Sequence, residues 1–155
     1  MMNKILNRII IKFTTRKVSS FESSKGFFSI NFPDGWRVAN FCRKEYLFFQ
    51  VNTNRAITIK PIFVKEKSVE EYLNNYRLVL LKEEITPAEY EVNGLKIIRW
   101  QYDFISSKTL EIKRLVYNDS IILEISSFVE NNLDDKEFHF FMESIENIFS
   151  TIKIK

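Results

Sequence analysis

The stretch YEVNGLKIIRWQYDFISSKTLEIKRLVYNDSIILEISSFVE, residues 90–130, decides the fold. It alternates apolar and polar residues, it is rich in β-branched and aromatic side chains, and turn signals divide it at regular intervals. Asn93-Gly94 is a two-residue hairpin signal, because both positions of that turn require a positive φ. It sets Glu91 opposite Lys96 and Tyr90 opposite Ile97. Asn118-Asp119 predicts a second hairpin, with Lys113 opposite Glu124 and Ile112 opposite Ile125. Between them, Ser106-Ser107-Lys108 as a three-residue loop sets Tyr102 beside Ile112 and Asp103 beside Glu111. One face then collects Ile98, Trp100, Tyr102, Phe104, Ile112, Val116 and Ile125; the other carries Arg99, Gln101, Asp103, Glu111, Lys113 and Glu124. That pattern predicts an antiparallel meander with one buried and one wetter face.

Upstream, Phe27–Phe32 reads as a strand stopped by the Pro33-Asp34-Gly35 turn. Trp36–Phe41, Tyr46–Val51 and Arg55–Phe63 follow as short strands, and Pro61 places the last at a sheet edge. Ser68 with Glu71 has the spacing of a helix N-cap, and Val69, Tyr72, Leu73, Tyr76 and Leu80 recur at helical steps. Downstream, Asp134 caps a second helix whose stripe is Phe138, Phe141, Met142, Ile145, Ile148, Phe149 and Ile152. Strands, helix, meander and helix make an α+β fold of one domain, an antiparallel sheet flanked by helices.

Composition bounds the function. The 155 residues suffice for one self-supporting core. One cysteine (Cys42) and one histidine (His139) exclude a disulfide framework and a Cys/His zinc centre. With three glycines in total there is no phosphate-cradling loop, nucleophile elbow or His-Glu-x-x-His motif. No cofactor is implied. Residues 1–21 hold Lys4, Arg8, Lys12, Arg16 and Lys17 and no acid. With these five set apart from the 23 basic residues, 18 stand against 20 acids in residues 22–155, so the body lacks the basic stripe of a nucleic-acid binder. The basic segment reads either as a packed first element or as an amphipathic arm, with residues 3–17 lying on a membrane surface or serving as an organellar presequence. No run of 18 apolar residues occurs, and the chain is expected to be cytoplasmic unless that arm acts as a targeting segment.

The opening Phe27-Phe28-Ser29-Ile30-Asn31-Phe32-Pro33-Asp34-Gly35-Trp36 resembles the F-x-I-x-x-P-x-x-W start of the PsbP/Mog-like proteins. The Ser68-Val69-Glu70-Glu71-Tyr72 helix start, the Asn93-Gly94 hairpin and the closing helix fit the same pattern, so the likeness covers about residues 27–152. It implies an α/β/α sandwich. The family includes a photosystem II extrinsic subunit, a Ran-binding nuclear import factor, bacterial envelope lipoproteins and chaperones of type VI secretion effectors. What the resemblance implies for function is therefore binding to another protein, as an adaptor, chaperone or immunity-type partner, and it brings no catalytic motif. Cys42 lies deep in the domain and follows no signal peptide, which separates the chain from the lipoproteins.

The expected contact surface combines the polar sheet face (Arg99, Gln101, Asp103, Glu111, Lys113, Glu124) with the early aromatics Trp36, Phe41, Tyr46, Phe48 and Phe49. Those aromatics either form an exposed patch or fill the second side of the sheet. The sheet face also raises an enzymatic alternative. Asp103 beside Glu111 would be a carboxylate pair able to share a proton or hold a divalent cation, opposed by Lys113 and Arg99 as neutralising partners. Cys42 beside Arg43-Lys44 is read as a structural cysteine rather than a reactive thiol, and His139 as an exposed helix residue.

Overall fold

The computed structural model describes residues 15–42, 45–64 and 68–155. Eleven strands appear in these residues: β1 (Thr15–Lys17), β2 (Ser20–Glu22), β3 (Phe28–Asn31), β4 (Trp36–Cys42), β5 (Glu45–Gln50), β6 (Ala56–Phe63), β7 (Ala88–Val92), β8 (Leu95–Phe104), β9 (Thr109–Tyr117), β10 (Ile121–Glu130) and β11 (Lys153–Ile154). Two α-helices, α1 (Val69–Lys82) and α2 (Asp135–Phe149), appear among the described residues. An eight-stranded sheet has the order β1-β4-β5-β6-β10-β9-β8-β7, and a smaller one the order β11-β3-β2. All its recorded pairings are antiparallel.

Both helices begin where their caps dictate. The Ser68 side chain accepts from Glu71 N at 3.2 Å, and the Asp134 side chain accepts from Glu137 N at 2.8 Å. Helix α1 lays Val69, Leu73 and Leu80 on one sheet face, against Ile98, Trp100, Leu115, Tyr117 and Ile122. Helix α2 lays Phe141, Ile145, Ile148 and Phe149 on the other, against Ile112, Val116, Leu123 and Ile125. The small sheet joins α2 on that second face and supplies Phe21, Phe28 and Ile30 to the same core. The result is a three-layer α+β sandwich with both faces of the main sheet covered.

Three expectations about the sheet need correction. The Asn93-Gly94 hairpin pairs as expected, Glu91 with Lys96 and Tyr90 with Ile97, and both turn residues take positive φ, 51° and 78°. The β8–β9 connection, however, has four residues, Ile105–Lys108, framed by the Phe104–Thr109 pair. Ile105–Ser107 form a 3-10 turn and Lys108 closes it in the left-handed region at φ 51°. One extra loop residue moves the register by one and so exchanges faces along the whole of β9. Tyr102 therefore lies opposite Glu111, and Asp103 opposite Leu110. Ile112, Val116 and Ile125 face α2, while Ile98, Trp100 and Tyr102 face α1.

At the next hairpin the Asn118 Oδ1 accepts from Ser120 N and Ile121 N, an Asx turn that makes Asp119-Ser120 the loop. Lys113 then pairs with Ser126 and Ile112 with Ser127, two residues from the expected register with faces retained. Pro61 lies in an interior strand, opposite Leu123 of β10. The pairing of β5 with β6 ends at Ile59, so the missing proline N–H falls where that ladder has stopped.

The basic N-terminal segment is described only from Thr15. Strand β1 pairs with β4, and Val18 and Phe21 are buried in the core, so residues 15–21 are part of the packed domain. The expected arm over residues 3–17 otherwise falls on residues outside the described set.

Candidate binding surface

The register separates the expected contact residues. Trp36, Tyr46 and Phe48 are 4%, 8% and 0% exposed, and they are core residues rather than a contact patch. Phe21 meets Tyr46 and Phe48 edge-on at 5.0 Å each, and Phe32 stacks on Phe48 at 4.6 Å. The small sheet supplies Phe21 and Phe28 to this aromatic cluster. Phe49 is buried beside Ala39 on the opposite face. The side chains of Phe41 and Cys42 lie outside the described residues. Arg99, Gln101 and Asp103 stay on the α2 face, where Asp103 Oδ1 accepts from Asn131 Nδ2 at 2.9 Å. Glu111, Lys113 and Glu124 stand on the α1 face. Asp103 and Glu111 are thus on opposite sides of the sheet, and the carboxylate pair expected of them is not formed.

On the α1 face Lys113 is flanked by two acids, its Nζ 3.4 Å from Glu124 and 3.8 Å from Glu111. Tyr72 and Tyr76 of α1 border this cluster. Burial, followed by the charge of Glu124, raises the ionisation of both phenols above the ordinary tyrosine value, and that of Tyr76 by the larger amount. Tyr102 donates to Glu83 Oε2 at 2.9 Å, which ties the end of α1 to the sheet. Burial and this hydrogen bond raise its ionisation too. The lysine between the two carboxylates leaves a polar notch with one net negative charge. Among the described residues no group of three or more His, Cys, Asp or Glu is placed to hold a metal ion.

The sequence reading missed the surface beside this notch. Leu78, Val79 and Leu81 are 57%, 52% and 71% exposed on α1, and Phe104 and Ile105 are 44% and 80% exposed at the β8–β9 loop. The Tyr102–Glu83 bond and the Tyr102–Phe104 ring contact at 6.2 Å hold both groups at the same end of the sheet. The signal was present in Leu78-Val79-Leu80-Leu81. Four successive apolar residues sweep round a helix, so only some can face the sheet, and Leu80 alone is buried. Exposed apolar side chains on one helix end are candidates for a contact site.

No family description matches this chain, and no curated protein matches it in sequence. Solved structures do match. One is a protein from Bacteroides thetaiotaomicron VPI-5482, at a TM-score of 0.64 and 13% identity over 90% of this chain; the chain spans about half of that protein, 49%. Another is the solution structure of cyanobacterial PsbP (CyanoP) from Synechocystis sp. PCC 6803, at a TM-score of 0.64 and 8% identity, over 92% of this chain and 93% of that one. The fold is PsbP-like. At such identities the likeness carries the architecture alone.

Among the described residues of the PsbP-like sandwich, one charged side chain is fully enclosed. Arg114, 1% exposed, lies between β9 and α2, and its Nη2 is ion-paired with Glu146. Its guanidinium sits 4.7 Å over the Phe149 ring, and its Nε has no hydrogen-bond partner among the described residues. A cavity of about 30 Å³ adjoins it, lined in part by Val92, Leu95 and Ile97. This pair anchors the end of α2 to the sheet and lies apart from the exposed apolar surface. Among the described residues no helix is long and apolar enough to cross a membrane.

Proposed function

We propose that this protein is a non-catalytic module that binds another protein through the apolar end of α1. One observation carries the reading: Leu78, Val79 and Leu81 are exposed on the last turns of α1, whose C-cap Glu83 is bonded to Tyr102, two residues before the exposed Phe104 and Ile105. A helix on a sheet normally turns its apolar residues inward, and this helix leaves three of them in water at the cost of their hydration. The neighbouring Glu111–Lys113–Glu124 notch supplies a polar rim to the apolar centre, the arrangement found in protein interfaces. The absence of charge from Leu78, Val79 and Leu81 favours a protein surface over an anionic one.

The test is comparative capture with tagged wild-type protein and a Leu78→Asp/Leu81→Asp variant. The expected result is a defined partner held by the wild type and lost by the variant, with thermal unfolding unchanged. Equal retention by both proteins, or no partner for either, overturns the proposal.

A further inference from the structure

Strand β7 is the last strand of the eight-stranded sheet on the side nearest α1, and among the described residues it pairs only with β8. Its outward backbone groups have no strand partner among those residues, and such an edge is a template for strand pairing. Its side chains divide by face. Glu89 and Glu91 lie on the α1 side, and Ala88, Tyr90 and Val92 on the α2 side. Glu89 accepts from Arg77 of α1 at 2.7 Å and 3.1 Å, whereas Glu91 has no ion-pair partner among the described residues. Leu81, exposed, follows Arg77 by one helical turn on the same side of α1.

The charge pattern selects what such an edge can accept. Pairing β7 antiparallel with β7 of a second copy, centred on Tyr90, would place Glu89 opposite Glu91 twice on one face, which cross-strand electrostatics opposes. The opposite edge, β1, is basic, but Arg16 and Lys17 point to different faces of a three-residue strand. It therefore offers one cation per face, where β7 places Glu89, already held by Arg77, beside Glu91, which stands opposite Lys96 of β8. A strand with cations at alternate positions meets both acids, and its intervening apolar residues meet Tyr90 and Val92, the latter 39% exposed.

We infer that β7 receives an extended segment of the partner protein by strand addition, with alternating basic and apolar residues, the basic ones on the α1 side. This rests on the protein-binding reading above and gives it a mode and a chemistry.

The probe is the blocked peptide acetyl-Lys-Val-Lys-Val-Lys-amide, titrated into the isotope-labelled full chain and followed by amide NMR and hydrogen exchange. Shifts confined to β7 and the start of β8, with slowed exchange of the outward β7 amides, are expected. Glu91→Lys removes one attraction and adds one repulsion, and it should weaken binding about tenfold. The isomer acetyl-Lys-Lys-Val-Val-Lys-amide, with equal charge but no alternation, should bind more weakly. Equal binding of that isomer or of the Glu-Val-Glu-Val-Glu analogue, shifts centred elsewhere, or no binding overturns strand addition. Peptide-free self-association suppressed by Arg16→Glu would overturn it in favour of a second copy. If partner capture depends on Leu78 and Leu81 while the peptide leaves β7 untouched, the protein-binding reading stands and this inference fails. If the peptide docks on β7 while capture ignores Leu78 and Leu81, it is the apolar site that fails.

Discussion

Replacing Glu146 by alanine should destabilise the protein more than removing the arginine it pairs with. Arg114 is 1% exposed, with an unpartnered Nε, a long 3.5 Å contact from Nη1 to Ser127 Oγ, and the Phe149 ring beneath it. Glu146 supplies its counter-charge from a side chain that is 41% exposed. Removing one partner of a fully buried pair costs about 3–5 kcal/mol. Water can reach the Glu146 position, so the expected loss for Glu146→Ala is smaller, about 2 kcal/mol. For a chain of this length that is a fall in Tm of about 6 °C. Arg114→Met removes the desolvated guanidinium and keeps an unbranched apolar chain against Phe149. It leaves Glu146 free to hydrate, so the change should stay within about 1 kcal/mol of wild type. The double variant should match Arg114→Met, because Glu146 has then no charge to compensate. Urea unfolding of the four proteins measures all three differences. A cost for Arg114→Met equal to or above that of Glu146→Ala would refute the reasoning, since it would mean that the arginine stabilises through packing rather than requiring neutralisation.

Other consequences follow from single contacts. Glu124→Gln should lower the ionisation of Tyr76 towards, but not to, the ordinary value, because burial remains the larger cause; ultraviolet titration of the phenolate reads this directly. Tyr72, Tyr76, Tyr102 and Tyr117 all ionise above the reference value of 10.0 in the folded state. Their contribution to stability is therefore complete below pH 10 and is lost as pH rises above it, when the unfolded chain deprotonates first. Ser68→Ala and Asp134→Ala should each cost about 1 kcal/mol in urea unfolding, and additively, since the two caps serve helices on opposite faces. Phe48→Ala, at a site with no exposure and two ring neighbours, should cost about 3–5 kcal/mol, whereas Leu81→Ser should change stability by no more than about 0.5 kcal/mol.

Much of the architecture was legible because short-range chemistry fixed it. Ser68 and Asp134 start the helices, and Asn93-Gly94 sets a register through two positive φ angles. Face assignment was not legible at Ser106-Ser107-Lys108, since a three- or four-residue loop there differs only in whether Ile105 leaves the strand. That single residue sent Asp103 and Glu111 to opposite faces and dissolved the carboxylate pair. The third layer also escaped the pattern. Strands β2 and β11 have three and two residues, too few to show alternation, yet with β3 they form the small sheet beside Tyr46 and Phe48. The apolar end of α1 was written openly in Leu78-Val79-Leu80-Leu81, but its exposure depends on how the helix sits on the sheet.

The most direct measurement of the central claim is site-specific photo-crosslinking, with the reactive residue placed at Leu81 and, as comparison, at His139, exposed on α2. One dominant protein adduct from position 81 and none from position 139 is the expected result. Equal adducts from both positions, or none from position 81, would contradict a contact surface at the end of α1.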